Sequence, residues 1–74
     1  MIKKVKVYHD DAIEPTVYVS NGLNTLIFTT KRGCLIIKEQ EHTSPNCATI
    51  AVYPEGEWLR CVAFNYEDRS WREL

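Results

Sequence analysis

Apolar residues along this chain alternate with polar ones or come in short runs, and nowhere do they keep helical spacing. The runs 2–8, 16–20, 24–30, 34–38, 48–53 and 58–66 are rich in β-branched and aromatic residues, which predicts strands. Turn residues separate them. Asn21-Gly22 between two strand-like runs predicts a two-residue hairpin with positive φ at Gly22. Lys31-Arg32-Gly33 and Pro54-Glu55-Gly56-Glu57 predict two further turns. Helix fits only as single turns, at 10–14 before Pro15 and at 38–43 before Ser44-Pro45. The chain end, 67–74, has a competing helical reading through its i,i+4 pair Asp68 and Arg72. A strand over 70–73 is preferred, because 67–69 reads as a turn.

The apolar pattern also orders the strands. Residues 34–37 and 58–64 are apolar on both faces, which predicts central strands covered on both faces. Residues 2–8 carry lysines on both faces, Lys3 on one and Lys4 and Lys6 on the other, which predicts a protected edge. The expected fold is all-β and spans residues 1–74 as one domain. It is a small barrel or a strongly curved antiparallel sheet of six to seven strands in near-meander order.

Length sets the energetics. Seventy-four residues bury roughly 7,800 Å² on folding. At ~60% apolar that is worth ~115 kcal/mol. Ordering the chain costs ~110 kcal/mol. So thin a margin has no room for a deep cavity, and it leaves support by a partner or by a homodimer open.

Composition adds limits. At 45% hydrophobic and 26% charged, the chain is in the ordinary globular range. No apolar run approaches the ~18 residues of a membrane helix. The lysines at 3, 4 and 6 are not followed by the apolar stretch of a signal peptide, so the expected location is cytoplasmic. Three cysteines are an odd number, too few for a secreted disulfide scaffold. Cys34, Cys47 and Cys61 are expected reduced and buried, as small hydrophobes.

Candidate chemistry is sparse. The chain has no Gly-x-Ser-x-Gly elbow, phosphate loop or His-Glu-x-x-His. Cys47 lies five residues from His42, with no third group in view to orient the imidazole. Two clusters have metal-ligand chemistry, His9-Asp10-Asp11 with Glu14, and Glu39, Glu41 and His42. Solvated loops explain both more simply. A zinc site from the three cysteines and His42 lacks the close ligand pairs that zinc favours. The expectation is no enzyme, no metal and no cofactor.

Binding functions remain. A small β-barrel with eight aromatics suits nucleic acid, but the net charge is −1 and acids interrupt every basic run. The blocks run +3 over 1–9, −3 over 10–14, +3 over 15–38 and −2 over 39–41. Protein binding is therefore preferred, with nucleic acid as the alternative and a metal-assisted enzyme behind both. The expected contact residues are Tyr66, Arg69, Trp71 and Arg72, with Tyr53 and Trp58 flanking the 54–57 turn. Tyr, Trp and Arg dominate binding hot spots. On a strand, Arg69 and Trp71 share one face. The competing role for Trp58 and Trp71 is to close the core. In its size, its β-rich pattern and its lack of a catalytic constellation, the chain resembles short proteins carried by phages and other mobile elements, anti-CRISPR proteins among them. That resemblance implies an inhibitor that occludes a host protein complex.

Overall fold

The computed structural model describes residues 2–9 and 14–73. The possible helical turn at 10–14 thus falls almost wholly outside the described residues. Seven strands form: β1 (Ile2–Tyr8), β2 (Thr16–Val19), β3 (Thr25–Lys31), β4 (Cys34–Gln40), β5 (Cys47–Tyr53), β6 (Arg60–Asn65) and β7 (Ser70–Glu73). They lie in two antiparallel sheets, β2-β1-β6-β7 and β3-β4-β5, and neither sheet closes into a barrel. The chain end is a strand, and residues 38–40 extend β4 instead of starting a helical turn.

The sheets face each other through a small core. The four-stranded sheet contributes Val5, Val7, Cys61 and Ala63, and the three-stranded sheet contributes Leu26, Leu35 and Ile37. All seven are buried, and strict alternation along β1, β4 and β6 puts them on the inner faces. The smallest dimension of the molecule, 17 Å, suits two sheets stacked about 10 Å apart. Both strands expected to be central, β4 and β6, are flanked on each side. Only their inner faces are buried, however, since the fold has two layers and the outward Ile36, Val62 and Phe64 stay partly exposed. Tyr18 of β2 and Tyr53 of β5 join their hydroxyls across the gap between the sheets. Burial and that bond push the Tyr18 phenol up to about 12.

Three expectations need correction. First, β1 is an interior strand, paired with β2 on one side and β6 on the other. Its lysines are not edge protection. The Lys3 ammonium donates to the carbonyls of Gly22 and Asn24, the latter at 2.8 Å. Lys4 and Lys6 point the other way, out of the sandwich.

Second, Asn21-Gly22 is a turn but not a hairpin. Gly22 has the expected positive φ of 56°, and Asn24 N–H donates to the Asn21 carbonyl at 3.0 Å. Yet β2 pairs with β1 and β3 pairs with β4, so this turn carries the chain from one sheet to the other. Leu26 has to lie opposite Val5 and Val7 to cover them, and a flat hairpin would leave it in their own sheet. Ser20, 7% exposed, helps fix the crossing: its N–H donates to the Lys3 carbonyl and its hydroxyl to the Asn24 carbonyl. The two-residue hairpin forms instead at Arg32-Gly33, between the paired residues Lys31 and Cys34. Both turn residues have positive φ, 53° and 81°, the geometry that suits the twist of a strand pair. A Cβ at Gly33 would lie 2.7 Å from Glu55 Cδ, so glycine there also leaves room for the Glu55 side chain.

Third, the cysteines are free, but they are not all buried. Cys61 is buried, Cys34 is half-buried and Cys47 is exposed. Cys47 opens an outer strand beside the 41–46 loop, where no layer covers it.

Candidate functional site

Among the described residues, no layer covers the outer face of the four-stranded sheet. Register places its side chains in rows. One row is Val19, Lys4, Phe64 and Trp71. The next is Val17, Lys6, Val62 and Glu73. Tyr8 and Arg60 form a third. Because β1 and β6 are neighbours, residues far apart in sequence stand side by side, Lys4 with Phe64, Lys6 with Val62 and Tyr8 with Arg60.

Aromatic rings and cations alternate on this face. Phe64 stacks on Tyr66 with ring centroids 4.9 Å apart, and Trp71 meets Phe64 edge-on at 5.1 Å. Lys6 Nζ lies 4.6 Å from the Trp71 ring centroid, and the Arg60 guanidinium lies 4.4 Å from that of Tyr8. Both are cation–π distances. Lys6, Tyr8, Arg60, Val62 and Trp71 line a shallow hollow of about 240 Å³. Trp71 and Tyr66 are each 47% exposed around Phe64, and Val17 and Val19 are exposed at the opposite edge of the sheet, on β2. Single exposed apolar residues are ordinary, whereas a contiguous set marks a contact surface. Against Lys4, Lys6 and Arg60 the rows hold one carboxylate, Glu73, which lies 3.6 Å from Arg60.

The residues expected to form the site divide. Tyr66 and Trp71 come together around Phe64 on this face. Arg72 projects from the other side of β7, opposite the inward Ala63, and its guanidinium pairs with Asp68 at 3.1 Å. Arg69 does not share a strand face with Trp71, because it sits in the turn with φ 54° and β7 begins at Ser70. The Asp68 carboxylate accepts from the Ser70 hydroxyl at 2.6 Å and from its N–H at 3.2 Å, which holds the turn. The Ser70 hydroxyl, then Arg72, keeps that carboxyl below the usual carboxylate range.

Tyr53 and Trp58 lie elsewhere. Both are half-buried and pack against the core, Tyr53 bonded to Tyr18 and tilted against His9 at 4.9 Å. Trp58 donates its indole N–H to the Gly33 carbonyl at 3.0 Å. The core role considered for both tryptophans therefore fits Trp58 and does not fit Trp71.

Lys4, Lys6, Tyr8, Arg60 and Phe64 were outside the expected set. The signal for three of them was the i, i+2, i+4 spacing of Lys4, Lys6 and Tyr8, one face of a strand. Arg60 and Phe64 join them only through the long-range β1–β6 pairing.

Other chemistry is less concentrated. Among the described residues, no group of three or more His, Cys, Asp or Glu side chains could hold a metal ion. Asp10 and Asp11 of the first acidic cluster lie outside the described residues. In the second cluster Glu39 accepts from Asn21 N–H and the Asn24 amide, a structural use. Among the described residues no helix is long and apolar enough to cross a membrane.

The thiols offer a direct check. Burial pushes the Cys61 thiol up to about 11, while Cys47 is open to solvent. In native protein a maleimide is expected to label Cys47 first and Cys61 last. Mass spectrometry of a labelling time course reads the order, and early labelling of Cys61 would contradict the buried face of β6.

Compared with family models, curated proteins and solved structures, the chain matches none.

Proposed function

We propose that the protein works by binding rather than by catalysis, and that the outer face of the four-stranded sheet is its contact surface. The observation that supports this most is the uncovered cluster of Phe64, Tyr66 and Trp71 bordered by Lys6 and Arg60. Half-exposed rings beside guanidinium and ammonium groups bury much area and add directed hydrogen bonds on contact. A module of this kind acts by occupying a surface of its partner. Occlusion of a protein complex, as an inhibitor, is one such action. The interleaved cations favour a second ligand class, single-stranded nucleic acid, which needs rings and positive charge on one surface.

Immobilised protein and native lysate test the surface. Tyr66→Ala and Lys6→Glu are expected to melt cooperatively near wild type and to lose most of the material that wild type retains. Lys38→Glu, a charge reversal on the other sheet, is expected to retain it. Undiminished retention by Tyr66→Ala and Lys6→Glu would end the assignment of this face.

A further inference from the structure

We infer that the ligand of this face is single-stranded nucleic acid, with bases on the Trp71 and Tyr8 rings and phosphates against Lys4, Lys6 and Arg60. The inference rests on the reading of the face as the contact surface and names what it takes. Three features carry it. The first is charge: the rows hold three cations and one carboxylate, although the whole chain has a net charge of −1. Of the other described acids, Glu39 accepts from Asn21 and Asn24, Glu55 and Glu57 lie beside Gly56 in a turn, and Asp68 is engaged by Ser70 and Arg72. Folding thus collects a positive surface from basic residues that are scattered along the sequence.

The second is the spacing of rings and cations. Each of two rings already has a cation near its face, Lys6 at Trp71 and Arg60 at Tyr8, around one hollow. A nucleotide presents the same pair of needs, a π-face to stack and an anion beside it. The lysine stem is flexible, so its ammonium can swing from the ring to a phosphate as a base takes its place. The third is shape. Among the described residues the face is an open sheet, and no helix projects from it to enter a groove. Bases in a duplex are already stacked on each other, whereas those of a single strand are free to lie on protein rings.

Fluorescence anisotropy of a labelled short oligo-dT tests this with the full chain. Wild type is expected to bind, with a log–log salt slope of about −2 for three phosphate contacts. Trp71→Ala and Lys6→Glu are each expected to weaken binding by about tenfold or more, and Lys38→Glu by less than about twofold. A duplex of equal length is expected to compete at least about tenfold less well. Absence of binding up to about 100 μM, equal competition by duplex, or an equal loss in Lys38→Glu would each overturn the inference. The two readings fail differently. If oligo-dT does not bind but wild type retains protein from nuclease-treated lysate and Lys6→Glu does not, the ligand class falls and the surface stands. If the face variants change neither readout, both fall.

Discussion

Leu35→Ala is expected to cost about 3 kcal/mol or more, and to leave little of the native state. Leu35 is fully buried at the inner face of β4, between Thr30 of β3 and Tyr53 of β5. Among the described residues only seven apolar side chains are fully or nearly fully buried, and Leu35 is among the largest of them. Its loss leaves a hole that a thin two-layer fold has few atoms to refill. For a domain of this size each kcal/mol lowers the melting midpoint by about 4–8 °C, so a drop of about 12 °C or more is expected. Ile36, the next residue, turns outward and is half-buried. Ile36→Ala is expected to cost about 1 kcal/mol. Urea unfolding of the two variants decides the matter, and equal costs would contradict the inward face assigned to Leu35.

Two adjacent lysines are expected to differ almost as sharply. Lys3→Ala should cost about 1.5–3 kcal/mol, the range for hydrogen bonds that involve a charged group. Its ammonium ties β1 to the 21–24 crossing through the Gly22 and Asn24 carbonyls, and Asn24 is half-buried. Removing the ammonium leaves those carbonyls to find water beside the buried Ser20. Lys4→Ala, on the outer face, should fall within about 0.5 kcal/mol of wild type. Thermal melts of the pair give the comparison, and a cost at Lys4 equal to that at Lys3 would contradict the orientation of β1.

These residues also show what the sequence made legible. Strands and turns were readable, because β-branched runs and glycine conformational freedom are local properties, whereas the inner faces of β4 and β6 were not, since both runs are apolar on both faces. The chain end read as a strand for the same reason. Pairing was less readable. Asn21-Gly22 has the composition of a hairpin, and the same backbone geometry serves a crossing between sheets. Only the need of Val5 and Val7 for a cover from β3 separates the two. The lysines of β1 have two uses that composition cannot distinguish, keeping strangers off an edge or reaching carbonyls on one face and water on the other.

The candidate site was legible in part for a related reason. Tyr66 and Trp71 are close in sequence, and one turn brings both to Phe64. Reading charge in sequence blocks weakened the case for nucleic acid, since each basic run is answered by an acidic one. In the fold β1 lies against β6, so Lys4, Lys6 and Tyr8 stand beside Arg60 and Phe64, a grouping by strand face that sequence blocks do not show. Tyr53 and Trp58 looked similar to Trp71 in composition. Their hydrogen bonds to Tyr18 and Gly33 take them out of that surface.

The central claim is that this ring-bearing face is free surface, and denaturant unfolding of Trp71→Ala tests it most directly. The Trp71 ring is 47% exposed and keeps one edge contact with Phe64, so its removal should cost about 1–2 kcal/mol with an unchanged denaturant slope. A loss of about 3–5 kcal/mol, the cost of truncating a core tryptophan, would place the ring inside the fold and contradict the claim.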